Sequence, residues 1–224
     1  MKWLALVPFV LAAAWSPREA KADDHPSPPV ENRPAQIADL DALLAGCAKM
    51  PGLLARFSEE KQIALLAVPL RAGGTLHFAR GRGLVRHTIE PAKQSVLVTD
   101  KELVFWDGKA TRRVSLASSV TVETFARAFS LILAADRPAL EKSFTLSFHP
   151  EGQSGGWSLK LAPKGAELKG VISSIEIEGR GLVLSILKVR EANGDVSTTR
   201  FFDVDTAKHY SDEDANRLFR VPPA

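Results

Sequence analysis

Apolar positions along this chain recur with two different periods, and the points where one period gives way to the other divide it into elements. In "RPAQIADLDALLAGCAKMPG" the apolar residues Ile37, Leu40, Leu44 and Cys47 fall three or four apart, which predicts a helix over residues 36–49 with one apolar face. Pro34 suits the start of that helix and Pro51-Gly52 its stop. From Leu53 to Leu116 the pattern becomes that of short strands: "LLARFSEEKQIALL", "GTLHFAR", "GLVRHTI", "SVLVTD", "ELVFWD" and "ATRRVSL". The breaks fall at Gly73-Gly74, Gly81 to Gly83, Glu90-Pro91, Asp100-Lys101 and Asp107-Gly108. Asp-Gly between two strand-like runs is a strong short-hairpin signal, so the six strands read as an antiparallel meander.

The segment "SSVTVETFARAFSLILAADRPALEKS" returns to the longer period. Val122, Phe125, Phe129, Ile132 and Leu133 keep helical spacing, and Asp136 ahead of Pro138 starts a second short helix. Strand patterning resumes in "SFTLSFHP", where Phe144, Leu146 and Phe148 alternate with Thr145, Ser147 and His149. It continues through "GWSLKLAP", "VISSIEIE", "GLVLSILKVRE" and "VSTTRFFDV", with a hairpin turn at Asn193-Gly194. A short helical turn near Ser211 to Leu218 precedes an extended end. The expectation is a mainly β, α+β chain of about eleven antiparallel strands. An N-terminal helix precedes them, and an apolar helical insert lies between strands six and seven. A sheet this long curls under its own twist. Helices laid over its apolar face enclose a space that is either filled by side chains or open to a ligand; the pattern leaves both open.

The N-terminus changes the picture. "MKWLALVPFVLAAAW" places Lys2 ahead of an uncharged run, and Ala20-Lys21-Ala22 supplies an A-x-A site, so residues 1–22 read as an export signal. Residues 23–35 then form a Pro-rich, extended lead-in, and residues 36–224 a single domain. The apolar run is short for a membrane span. "LLAGC" at residues 43–47 has the form of a lipid-attachment box, but Asp39 and Asp41 interrupt the approach to it. Cys47 is read instead as a small buried thiol on the helix face. The leader carries Lys2, Arg18 and Lys21 against Glu19, so its removal lowers the formal net charge from +3 to +1. That balance argues against a nucleic-acid partner. One cysteine permits no internal disulfide, and export without disulfides fits a bacterial periplasm.

The sequence carries little catalytic chemistry. His77 and His87 lack metal-ligand spacing, and no nucleophile elbow occurs. "GRG" at 81–83 does not open a helix and is too short for a phosphate loop. Asp203, Asp205, Asp212 and Asp214 read as solvated surface, and His149 as exposed.

The order of elements, together with particular strings, resembles the LolA family of periplasmic outer-membrane lipoprotein carriers. The strings are "RFSEEKQ" (56–62), "GTLHFAR" (74–80), "EPAKQSVLVTD", "ELVFWDG", the insert "VETFARAFSLILAAD", "NGDVSTTRFFDV" and the terminal "LFRVPP". The resemblance spans Ile37 to Pro223. It implies a half-open antiparallel β-barrel of about eleven strands whose helical lid closes over a concave face that holds acyl chains. It also implies an inner-membrane donor transporter, an outer-membrane acceptor, a monomeric carrier without a cofactor, and no reaction. With the inward face assigned by alternation, the expected lipid-binding residues are Leu76, Phe78, Leu84, Val96, Val98, Phe105, Phe144, Leu146, Phe148, Ile175, Ile177, Leu184 and Ile186. Phe125, Phe129 and Ile132 are added from the lid. Family members of the best-known type have Arg-Pro after the second strand, and that Arg holds the lid. Arg80 takes this place here without the Pro, and Arg82 competes for it. The cargo is a lipoprotein, a glycolipid or another lipid. A non-carrier periplasmic sensor of the same fold is the alternative. An enzyme on this scaffold would need titratable groups facing inward, where the positions named are apolar.

Overall fold

The computed structural model describes residues 36–115, 128, 130–151 and 155–221. The first helix, α1 (Leu40–Lys49), starts later than the apolar period suggests because Asp39 caps it: its carboxylate accepts from the Ala42 amide at 2.8 Å. Asp41 in the first turn and Lys49 in the last both suit the helix dipole. Leu40, Leu43, Leu44 and Cys47 form the buried face.

Eleven strands follow: β1 (Gly52–Gln62), β2 (Leu70–Ala79), β3 (Gly83–Glu90), β4 (Gln94–Val98), β5 (Glu102–Trp106), β6 (Thr111–Ser115), β7 (Phe144–Glu151), β8 (Gly156–Pro163), β9 (Ile172–Arg180), β10 (Val183–Glu191) and β11 (Val196–Asp205). They make one sheet in the order β6-β5-β4-β3-β2-β1-β11-β10-β9-β8-β7. Two antiparallel meanders are thus joined where the first strand pairs with the last. The sheet does not close: β6 and β7 are its edges, and the helical insert bridges them in sequence. Within that insert, residues 130–134 are helical, and α2 (Arg137–Ser143) follows with Asp136 capping the Ala139 amide and Pro138 in its first turn. A single turn, α3 (Ala166–Lys169), and a C-terminal helix, α4 (Asp212–Leu218, capped by Ser211), complete the chain.

The turns follow their residue chemistry. In the β5–β6 hairpin Gly108 adopts φ +94°, and the Asp107 carboxylate accepts from the amides of Lys109 and Ala110. Asn193 does the same for Asp195 between β10 and β11. At Gly179 the need is space: a Cβ there would lie 2.5 Å from the Trp157 ring. The indole is fully buried and donates from Nε1 to the Gly181 carbonyl at 2.8 Å.

The two faces of the sheet carry two cores of unequal size. The larger lies on the inner face and joins α1, residues 128 and 132–133, Leu140, and strands from both halves of the sheet in one buried cluster. Each fully buried Leu, Ile or Phe there contributes roughly 1.5–3 kcal/mol. The smaller core, Val85, Leu97 and Val104, lies on the outer face of β3–β5 beneath Phe219 and Val221.

Candidate functional site

Residues opposite one another in an antiparallel pair share a face, so the register maps the inner surface directly. One row runs Leu53–Phe78–Leu84–Val98–Leu103 across β1 to β5. The next runs Ala55–Leu76–Arg86–Val96–Phe105. In the other half the rows are Leu146–Leu161–Ile175–Val189 and Phe148–Leu159–Ile177–Leu187. Leu76, Phe78, Leu84, Val98, Ile132, Phe144, Ile175, Ile177 and Leu184 are buried in one cluster, and Val96, Leu146 and Phe148 pack against it.

Four expected positions stand apart. Phe105 shares the face through its pairing with Val96, but it is only half-buried and lies toward the β6 edge opposite Arg112. Ile186 is on the other face, opposite Glu178 and Arg200. Strict alternation from Leu184 fails there because the β9–β10 register shifts between Leu184 and Ile186, which turns Leu187 and Val189 inward instead. Phe125 and Phe129 lie outside the described residues. The face also includes Leu53, Ala55, Trp157, Leu159 and Leu161, which the expected set omitted. The alternation in "GWSLKLAP" carried the signal for the last three.

The face is not sealed at its β2–β4 end. A cleft of about 390 Å³ opens between Phe78, Arg80 and Val98 on the sheet and Ser130, Leu131, Ala134 and Asp136 of the insert. This lies within the range of small-molecule sites, roughly 300–1,000 Å³. The arginines beside it have different partners. Arg80 donates to the carbonyls of Cys47 and Met50 at 2.9 and 3.4 Å, at the C-terminal end of α1, where a cation suits both the free carbonyls and the dipole. Arg82 reaches α4, meeting Asn216 at 3.1 Å and Asp212 at 3.7 Å. Arg80, expected at the lid, thus bonds α1 and borders the cleft opposite residues 130–136, while residues 116–127 and 129 of the insert lie outside the described residues.

Residues 32–219 match the family model described as outer membrane lipoprotein carrier protein LolA-like. The chain belongs to that family. No curated protein matches it. Among solved structures, this LolA-like chain is similar to a DUF1329 family protein from Desulfovibrio piger, at 11% identity over 77% of this chain and 92% of that one, with a TM-score of 0.47. It is also similar to a LolA superfamily protein from Nitrosomonas europaea, at 10% identity over 79% and 97%, with a TM-score of 0.42. A third is the MucA/MucB complex of Pseudomonas aeruginosa, at 12% identity over 80% of this chain and 60% of that one, with a TM-score of 0.44. The assignment rests on the family model.

Polar chemistry on the inner face of this LolA-like domain centres on Arg86. Its guanidinium lies 4.3 Å from the Phe57 ring centroid and 3.3 Å from Glu59, whose second oxygen accepts from Thr199 at 2.8 Å. Three polar side chains thus satisfy one another among apolar neighbours. The outer face holds the two histidines, brought together with ring centroids 5.8 Å apart. The Tyr210 hydroxyl donates to the Leu53 carbonyl at 2.8 Å, so His77 Nδ1–H donates to Tyr210 at 3.1 Å and Nε2 accepts from Thr75. His87 Nε2–H donates to the Leu218 carbonyl at 3.0 Å and Nδ1 accepts from Ser95 at 2.8 Å. This pattern suits neutral rings, and burial lowers both pKa values, that of His77 to about 4. Burial pushes the Cys47 thiol up to about 11, which Arg80 only partly opposes. Among the described residues no group of acids, cysteines and histidines has metal-holding geometry, and no helix is long and apolar enough to cross a membrane.

Proposed function

We propose that this chain is an exported lipid carrier: residues 1–22 direct it to the periplasm, residues 23–35 lead in, and the inner face takes the acyl chains of a lipoprotein or another lipid. One observation carries the reading. One buried apolar cluster draws on both halves of an open sheet beside the polar group of Arg86, Glu59 and Thr199, and helical cover leaves a cleft of about 390 Å³ at one end of it. Burying an acyl chain contributes about 0.8 kcal/mol per CH₂, so a modest opening of the insert suffices for useful affinity. On this reading an acyl chain enters where residues 130–134 move away from Phe78 and Val98, the two sides of the cleft. Such exchange needs two states of similar free energy, which suits receipt from an inner-membrane donor and delivery to an outer-membrane acceptor. The work is binding and release, without a chemical step.

The test is displacement of a fluorescent fatty acid. Ala134 borders the cleft and is exposed, so Ala134→Trp fills the space at little cost to the fold. The variant should lose probe binding while keeping the wild-type melting temperature. Equal binding by both proteins would remove the cleft from the account.

A second reading, a regulatory binding module with a filled core, draws on the closeness of the packing. Phe57, Phe144, Trp157 and Leu161 are all fully buried. It predicts no probe binding by the wild type at all.

A further inference from the structure

The β1–β2 connection has a composition that neither core explains. Residues 63–70, Ile-Ala-Leu-Leu-Ala-Val-Pro-Leu, carry no polar side chain. Leu65, Val68, Leu70 and Leu66 are 95%, 72%, 52% and 51% exposed. Single exposed aliphatics are ordinary, whereas a contiguous set of this kind marks a surface that something covers. The loop is also held in place. The Ala64 amide donates to the Asp195 carboxylate at 3.0 Å, and the Leu66 amide closes a turn on Ile63 at 2.9 Å. Asp195 is itself buried at the β10–β11 turn, where Asn193 donates to it at 3.1 Å. The fold therefore spends a buried carboxylate on holding leucines out in water.

We propose that this tip is a membrane-contact loop, which inserts Leu65, Leu66 and Val68 into the interfacial layer of a phospholipid surface. The loop projects from a hairpin end and carries none of the aromatic or arginine anchors that dominate protein–protein contacts. Binding to a lipid surface grows with the apolar area inserted, which the exposed Leu65, Leu66 and Val68 supply. The flanking cations are already matched: Lys61 meets Glu191 at 2.6 Å, and Arg71 meets Glu60 at 3.4 Å. Attachment is consequently apolar and insensitive to salt. β1 and β2 carry the tip to the opposite end of the sheet from the cleft beside Phe78 and Arg80. Contact with the bilayer and acyl binding are thus separable by mutation, and the inference holds whether or not the inner face takes lipid.

The experiment is flotation of the full chain with vesicles of phosphatidylethanolamine containing a minor fraction of phosphatidylglycerol, at low and at high salt. The wild type and Leu65→Ser/Leu66→Ser/Val68→Ser are matched by intact mass, so that both carry the same N-terminus. The wild type should float at both salt concentrations. The variant should lose more than about tenfold of that binding, given about 0.8 kcal/mol per buried CH₂, and should bind the fatty-acid probe as the wild type does. In Leu66→Trp the indole emission should shift to the blue on vesicles and be quenched by brominated acyl chains. Equal flotation of wild type and triple variant overturns the proposal. So does a wild type that does not float, floats only at low salt, or leaves the Leu66→Trp emission unchanged.

Discussion

Substitution of His77 by glutamine separates the latch on the C-terminal segment from the rest of the fold. His77 sits on the outer face and is nearly buried, and its ring bridges Thr75 on its own strand and Tyr210 beyond β11. Burial disfavours its charged form, and His87, Lys208 and Arg217 add to the effect, so its pKa falls from 6.5 to about 4. Burial, with Asp205 and Asp214 adding to it, raises the Tyr210 phenol pKa, so the hydroxyl stays a donor. The sign follows from linkage. Above pH 6.5 the ring is neutral in both folded and unfolded chains. As pH falls toward 4, the unfolded chain binds a proton that the folded chain refuses, and stability is lost through that window. At roughly 1.36 kcal/mol per pH unit the gap is worth about 3 kcal/mol, and solvent screening reduces this to about 2. The assay is urea unfolding across that window for wild type and His77→Gln. The variant starts lower at neutral pH because it loses a hydrogen bond, but its decline on acidification should be about 2 kcal/mol shallower. The carboxylates common to both proteins cancel in the difference. Hydrogen exchange should show residues 210–221 opening first, since Tyr210 and the Leu218 carbonyl are the partners of the two rings. Parallel pH profiles for the two proteins would refute the reasoning.

Three further outcomes follow from the packing. Gly179→Ala places a methyl 2.5 Å from Trp157 and 2.7 Å from the Val183 carbonyl, and should cost about 1–3 kcal/mol in urea unfolding. Arg80→Met removes the bonds to the end of α1 and should lower stability by about 1–2 kcal/mol, whereas Arg82→Met, at an exposed pair, should change it by less than about 0.5. Cys47, buried and with a pKa of about 11, should resist a thiol reagent at mildly alkaline pH in the native protein and react within seconds in urea.

Periodicity carried most of the fold, because alternation and turn residues act locally. The strand runs and the Asp107-Gly108 and Asn193-Gly194 hairpins are where the pattern puts them, and Asp136 and Ser211 cap the helices beyond β6 and β11. The features that escaped depend on contacts distant in sequence. Ile186 was misplaced because a register shift is a property of two strands, and the β10 pattern read alone gives no sign of it. His77 and His87 have no metal spacing along the chain, yet adjacent strands and the returning tail make them neighbours. Arg86 looks like a solvated strand residue until pairing sets it between Leu76 and Val96. Arg80 could be placed near a helix, but only the fold shows that the helix it caps is α1. α3 is a single turn, too short to leave a periodic signal.

The central claim, a carrier whose inner face exchanges lipid, is tested most directly by intact mass. The full-length chain would be expressed in a Gram-negative host, purified from the periplasm and weighed under native and then denaturing conditions. The account predicts a chain beginning at Asp23 with an additional lipid-sized mass that is lost on denaturation. A chain that stays at its bare mass even after incubation with lipid, or one that carries a covalent diacyl group on Cys47, would contradict it.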